Sequence, residues 1–412
     1  MPINIYALFT IPVLILILGE ILYCVFTKKN YYTFQDSVSS LGTAIINQCV
    51  NLLVSLIFFP AYKLINDSTG LGLPETWWSF VLLFVGVDFL FYWFHRMGHK
   101  INILWAAHMP HHSTEEFNYA VALRASVTQR LASFFFYWPL ALFWKAEYVL
   151  PMVAFHLVLQ LIPHTRVVPK LPRFIESWMN TPSHHRVHHA CNKQYRNTNF
   201  AGFLIIWDKM FGTYVEETEE PYYGVTTPPG SWDPLTINFQ WWGYLFSDMI
   251  HTKSWIEKFK LWFMPIGYRP KDLPPRKVYS RPDGVKQVKF KTTEFPHMRG
   301  YLVTQILLSM FIMLTVTATD SPLRAFDKFF VSILLCSSAV LWAGILESKK
   351  WALSWEPFKN FAVVYLLSYL ILEYLDSFQT AAVLGVVVLY TFVMIWFLRI
   401  TKKVYRGNLI NF

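Results

Sequence analysis

The chain has 412 residues, 54% of them hydrophobic and 18% aromatic, and only 15% are charged. Soluble chains of this size carry nearer a quarter charged residues, so an ordinary soluble domain is excluded and a membrane protein is indicated. The net charge of +10 does not signal nucleic-acid binding, because the basic residues flank apolar runs and no nucleic-acid module accompanies them. Four widely spaced cysteines (Cys24, Cys49, Cys191, Cys336) form neither a disulfide framework nor a zinc-finger spacing.

A membrane-spanning helix needs about 20 mostly apolar residues. Residues 5–26, 43–65 and 77–94 qualify. The first of these lacks a basic start and is read as a retained helix rather than a cleaved signal. Residues 127–144 and 148–162 are weaker candidates, and the second is short and contains Pro151, so together they suggest a hairpin that crosses only partly. Further runs follow at 301–318, 329–346, 358–372 and 379–400. With the N-terminus outside, the inner loops collect Lys28, Lys29, residues 95–124 and 165–299, Lys349, Lys350, Lys402, Lys403 and Arg406. The outer loops hold Asn66, Asp67, Glu373 and Asp376, with Arg324 and Lys328 as exceptions to the positive-inside pattern. The expected fold is therefore all-α: a multi-pass transmembrane protein of about nine helices with a cytosolic histidine-rich di-metal cap.

Four regions are expected: N-terminal membrane helices (1–76), a histidine-bearing domain (77–215), a basic cytosolic segment (216–299) and C-terminal membrane helices (300–412). Turn-rich stretches lie at 226–234 and 269–284, and residues 300–412 show no obvious chemical group. No internal repeat or low-complexity segment is visible.

Of 13 histidines, nine fall in three tight clusters, all on the predicted inner side. The first is His95-Arg-Met-Gly-His99, at the inner end of the 77–94 run, where a spacing of four puts both imidazoles on one helix face. His108, His111 and His112 form the second; His184, His185, His188 and His189 form the third, in which His185, His188 and His189 share the ligand spacing. In each of these two, an i, i+3, i+4 spacing gathers three imidazoles on one helix face. Pro110 is compatible with that only in a first helical turn. Eight ligands exceed one four-coordinate zinc and suit two metals sharing nitrogen donors, for which iron is a fitting choice. His164, ending the hairpin, offers a ninth.

Around these, His184 points about a quarter-turn away from His185, toward a supporting position or the substrate. Gln160 stands one turn before His164. Asp88 lies two turns before His95, and a carboxylate in an apolar helix is by default a functional candidate. It can orient a ligand imidazole, or it can instead pair with Arg96 or Tyr92. His156, His251 and His297 are isolated and read as hydrogen-bonded anchors. Trp207, Phe211 and Tyr214 read as interfacial packing in preference to a substrate lining.

These three clusters, HRMGH, HMPHH and HHRVHH, in this order around a membrane hairpin, resemble the fatty acid hydroxylase and sterol desaturase superfamily over residues 77–214. The resemblance implies an integral-membrane di-iron enzyme that oxidises a lipid with O2. It also implies that His95, His99, His108, His111, His112, His185, His188 and His189 occupy iron-ligand positions, with His164 matching an additional family histidine. Within the superfamily, the stretches at 122–126, 180–189 and 203–213, and the extra C-terminal helices, resemble the ether-lipid-cleaving alkylglycerol monooxygenases. That branch implies tetrahydrobiopterin as reductant and hydroxylation beside the ether oxygen, giving a hemiacetal that falls apart to an aldehyde. Members usually carry glutamate directly after the first cluster; here Lys100 reverses the charge, which separates pterin use from the rest of the expected chemistry.

Electrons must come from outside the chain, which has no dinucleotide fingerprint, haem-attachment motif or ferredoxin cysteine spacing. A reduced pterin or an electron-transfer protein can supply them. The basic stretch 253–291 suits anionic lipid in preference to an acidic donor protein. Two other readings remain open: hydroxylation or desaturation of a sterol, fatty-acid or sphingolipid chain, and a non-enzymatic metal transporter or sensor. Transporters place ligands near the bilayer midplane, whereas these clusters lie at its inner face. The membrane is the inner or plasma membrane of a bacterium or the endoplasmic reticulum of a eukaryote, with no retrieval signal at residues 409–412.

Overall fold

The structure is a computed structural model that describes residues 5–69, 71–275, 288–317, 323–374 and 377–406. Residues 409–412, part of the 269–284 turn and part of the 253–291 basic stretch lie outside the described residues. Every apolar run expected from the sequence is helical, and no strand occurs among the described residues, which contain only isolated bridges.

Helices α1 (Ile5–Thr27), α2 (Phe34–Thr69) and α3 (Trp77–Gly98) come first. Helix α2 begins nine residues before the expected apolar run (34 against 43) because its polar first turns are paired. Asp36 meets Arg124 at 2.8 Å and Ser39 Oγ donates to the Trp232 carbonyl at 2.9 Å. Short helices α4 (Asn102–Ala106), α5 (Met109–His112) and α6 (Tyr119–Ala122) follow. The 127–144 run then breaks into α7 (Gln129–Tyr137) and a 3-10 turn, Trp138–Leu142, because Pro139 cannot continue the ladder. Helix α8 (Ala146–Leu161) completes the hairpin. Beyond it lie α9 (Arg173–Glu176), α10 (Pro182–His189), α11 (Ile206–Met210), α12 (Pro234–His251) and α13 (Trp255–Phe263). The C-terminal set is α14 (Met298–Thr317), α15 (Ala325–Leu346), α16 (Lys350–Tyr374) and α17 (Ser377–Arg406).

Among the described residues, four helical stretches are long and apolar enough to cross a membrane: Leu8–Thr27, Phe34–Val54, Trp77–Gly98 and Ala325–Leu346. Helix α2 joins the two halves of the molecule. Val38, Ile45, Ile46 and Cys49 pack with α14–α17, while Tyr62, near its other end, packs with α3, α7 and α8.

The C-terminal helices are not without chemistry. Between α14, α16 and α17, Lys359 Nζ lies 2.8 Å from Glu356 and donates to Gln305 Oε1 at 2.6 Å. Asn360 donates to the Tyr301 hydroxyl at 2.9 Å, and Tyr301 in turn pairs with Glu356. Both charges are buried. Removing one partner of such a pair leaves an uncompensated charge and typically costs about 3–5 kcal/mol. Glu356→Ala should therefore lower the thermal unfolding midpoint sharply. Adding Lys359→Met should recover more than half of that loss, which unfolding of the two variants in detergent would read.

Candidate metal centre

Local sequence explains how each histidine reaches the centre. His95 sits in the last turn of α3 and His99 caps that helix, one turn apart. Pro110 lies in the first turn of α5, where its missing N–H costs nothing, so His108, His111 and His112 keep a one-turn register. Helix α10 starts with Thr181 and Pro182 and carries His185, His188 and His189 on one side. His164 follows the end of α8.

The structure brings these nine together in two adjoining groups. His95, His99, His108, His112 and His188 form one; His111, His164, His185 and His189 form the other, with one ring nitrogen from each within 4.8 Å of its group partners. In the first, His112 Nε2 lies 3.1 Å from His99, 3.0 Å from His108 and 3.2 Å from His188. In the second, His164 Nε2 lies 3.3 Å from His111 and 3.0 Å from His185, and His189 lies 3.1 Å from His185. The His112 and His189 rings stack at 4.3 Å between centroids, so the two groups share a wall.

The tautomers follow from the outward bonds. Nδ1 of His95, His111, His164 and His188 donates to the carbonyls of Phe200, Arg124, Gln160 and Thr198, at 2.8, 3.2, 2.9 and 2.9 Å. Nδ1 of His108 donates to Gln129 Oε1 at 3.3 Å. Each Nε2 then presents a lone pair inward, and the buried His95 Nε2 has no hydrogen-bond partner among the described residues. Facing lone pairs about 3 Å apart repel one another unless a cation lies between them. Donors at metal–nitrogen distances of about 2.0–2.1 Å stand roughly 3 Å from their neighbours, so the donor set fits one metal ion per group. Burial keeps the rings neutral, the form that binds metal. It pulls His111 down to about 4 and His188 to about 3, and holds His99, His108, His112, His164, His185 and His189 well below the ordinary imidazole range.

The supporting residues differ from expectation. Asp88 hydrogen-bonds neither a clustered imidazole nor Arg96 nor Tyr92. Its carboxylate accepts from His156 Nε2 (2.6 Å), Phe203 N (2.7 Å), Leu204 N (3.1 Å) and Trp207 Nε1 (2.8 Å). The reason is the helix turn: Asp88 faces the 200–207 loop and α8, one layer outside the histidines. His156 is a hydrogen-bonded buried histidine, also accepting from the Gln160 amide at 2.7 Å. Gln160 does touch a clustered histidine, though through its main-chain carbonyl to His164. His184 joins neither group. It lies 3.0 Å from Glu176 Oε2 and accepts from its own helix start at Thr181 N, because a shift of one position turns it to the other side of α10. Trp207 and Phe211 pack on α3, around Phe89 and Tyr92, consistent with packing.

Three further residues escaped the sequence reading. Arg124 orients His111 through its carbonyl while its guanidinium anchors Asp36 and Ser40 of α2. Asp208 accepts from Phe200 N and Ala201 N, fixing the loop that orients His95; burial raises its carboxyl to about 6. Glu20 of α1 accepts from Tyr119 N and pairs with Thr165, beside His164. The Arg124 signal lay in the 122–126 stretch; the partners of the other two are far off in sequence. Gly202 is required by a close approach, since a Cβ there would sit 2.5 Å from His156.

A cavity of about 280 Å³ opens from the histidines. His95, His108, His111, His164 and His185 form one end, and Phe9, Leu14, Ile45, Met310, Met313 and Leu314 line its apolar walls. Asn47, Gln48, Gln129, Arg130 and Gln160 are among its polar lining residues. Lys100 is exposed and lies outside this lining.

Residues 80–213 match the family model of the fatty acid hydroxylases. The chain is 36% identical to human alkylglycerol monooxygenase over 280 residues, covering 67% of this chain and 62% of that protein. It is 37% identical to the Danio rerio enzyme of that name and 38% identical to the Xenopus tropicalis one, each over 59% of this chain and 55% and 53% of theirs. The chain thus spans between about half and two thirds of the length of these curated relatives. No solved structure matches. The superfamily read from the histidine clusters, and the alkylglycerol monooxygenases as relatives within it, are both supported by these similarities.

Proposed function

We propose that this chain is a membrane-bound, O2-dependent lipid monooxygenase whose nine clustered histidines hold two iron ions, and that it cleaves the ether bond of an alkylglycerol lipid. The observation that carries the reading is the apolar cavity that ends on histidines of both groups. A pocket whose lining is mainly apolar and which ends on the histidines suits a lipid tail near a polar reacting end. The fatty acid hydroxylase match over 80–213 and the identity to alkylglycerol monooxygenases support the reaction class.

Bound iron would supply O2 reduction and insertion of oxygen into a C–H bond. The protein's own residues do the rest. The outward Nδ1 bonds fix five of the nine neutral donors, while Phe91, Phe94 and Leu161 keep water from the histidine end of the cavity. Asn47, Gln48, Gln129 and Gln160 offer hydrogen bonds that hold a glycerol head. One oxygen atom enters the C–H bond beside the ether oxygen, and the other leaves as water with two electrons and two protons from an external donor. The resulting hemiacetal falls apart to a fatty aldehyde and glycerol. The donor is a reduced tetrahydrobiopterin or an electron-transfer protein, and Lys100, standing directly after the first histidine cluster, bears on that choice. The histidine end faces the cytoplasm, with about nine helices crossing the membrane.

The test is an O2-dependent assay of purified, iron-loaded protein on an alkylglycerol, with and without tetrahydrobiopterin, following aldehyde. Pterin-dependent aldehyde is the expected result and would show that Lys100 is tolerated. No aldehyde from a sample with two irons per chain would overturn ether cleavage in favour of sterol or acyl-chain oxidation.

A further inference from the structure

Helices α12 and α13 carry two apolar stripes that no other described residue covers. On α13, Trp255, Ile256, Phe259 and Phe263 are each 70–75% exposed. At about 100° per residue these four span about 100° of helix surface, opposite Leu261, the buried residue that faces α4. On α12, Leu235, Phe239, Phe246 and Ile250 are exposed along an even narrower stripe, opposite the buried Ile237, Leu245 and Asp248. Both helices therefore have two working faces: one packs on the protein and the other is open. Soluble surfaces rarely leave so many large apolar side chains in one patch, and such a patch marks an interaction site.

We infer that α12 and α13 lie in the lipid–water boundary of the same bilayer, their exposed stripes inserted among the headgroups and upper acyl chains. Three observations select lipid as the occupant. First, the stripe is continuous with membrane-facing surface. Leu235 and Phe239 line one open apolar groove together with Phe329, Ile333, Trp351 and Trp355 of α15 and α16, and α15 is long and apolar enough to span. Second, α13 is tied at the level where a spanning helix ends. Asn102 N donates to the Met264 carbonyl at 3.0 Å and Ile266 N to the Lys100 carbonyl at 3.1 Å, just past Gly98 at the end of α3.

Third, the charge suits a phospholipid surface. Residues 234–275 hold Lys253, Lys258, Lys260, Arg269 and Lys271 against Asp248, Glu257 and Asp272. Lys253, Lys260 and Lys271 are exposed. Aromatic residues on one face with lysines beside it are the pattern of an interfacial helix, in which lysine stems reach back to the headgroups. The placement is independent of the oxidation reading and needs only that the chain sits in a bilayer.

The experiment uses the full chain in phospholipid nanodiscs, with an environment-sensitive fluorophore on Phe259→Cys and, separately, on Ile256→Cys. Both sites are exposed, so neither change opens the core. A label on Lys193→Cys, also exposed, gives the aqueous reference, and the wild-type chain, with Cys24 and Cys49 buried, gives the labelling background. The labels on α13 should be quenched by lipids brominated near the glycerol end of their acyl chains. Aqueous iodide should quench them to only a small fraction of its effect at Lys193→Cys, and phosphatidylserine should deepen the difference. Labels open to iodide and blind to brominated lipid would overturn the proposal. Labels shielded from iodide yet blind to brominated lipid would overturn it too, since another protein surface would then cover the stripe.

Discussion

Replacing His188 by alanine is expected to abolish lipid oxidation and to empty the five-histidine group of metal, while His111→Ala is expected to empty the four-histidine group. The two variants are informative together because the groups divide the clusters unevenly. His111 and His112 are adjacent in sequence yet belong to different groups. His188 Nε2 stands 3.2 Å from His112 Nε2, the atom on which His99 and His108 also converge. Loss of that donor leaves four rings around a position framed for five. Residues that merely support metal ligands typically cost about 10–100-fold in affinity or activity, so a ligand should exceed the top of that range. Metal analysis should find near two irons in the wild-type chain and near one in each variant, with membrane insertion unchanged. Full metal content and activity in either variant would remove that histidine from the donor set.

What the sequence disclosed, and what it hid, divides by distance along the chain. The histidine clusters were legible because i, i+3 and i+4 spacings are local: a single turn of helix turns spacing into a shared face. Pro110 fell in the one position where that turn survives. His164 was legible as a histidine at the right end of an apolar run and through its match to an additional histidine of the resembled family. Asp88 was singled out as a charge in an apolar helix. Its partners were beyond reach, because His156 lies 68 residues away and the loop donors more than 110. Glu356 and Lys359 are a different case. They stand three apart where the 358–372 apolar run begins, the spacing of a helical ion pair, and the signal was there in residues 300–412. The stripes on α12 and α13 were hidden for another reason: the basic residues among them drew the reading toward charge, while the 3.6-residue period of the aromatics carried the placement.

Asp88→Asn is expected to destabilise the fold by about 2–6 kcal/mol while retaining more metal than any ligand variant. Each carboxylate oxygen accepts two bonds: Oδ1 from His156 Nε2 and Phe203 N, Oδ2 from Leu204 N and Trp207 Nε1. An amide keeps one acceptor oxygen and turns an NH2 toward the other pair, whichever way it flips. Two buried donors then lose their acceptor, at about 1–3 kcal/mol each. The site is fully buried, so water cannot easily replace it. The histidines feel this only at second hand. Phe200, whose carbonyl orients His95, is held from its other side by Asp208, and Gln160 still presents its carbonyl to His164. Thermal unfolding and metal content measured on one preparation separate the possibilities. A lowered midpoint with most of the iron retained fits a carboxylate that braces the 200–207 loop. Iron loss as complete as in His188→Ala, with an unchanged midpoint, would instead make Asp88 a direct support of the metal ligands.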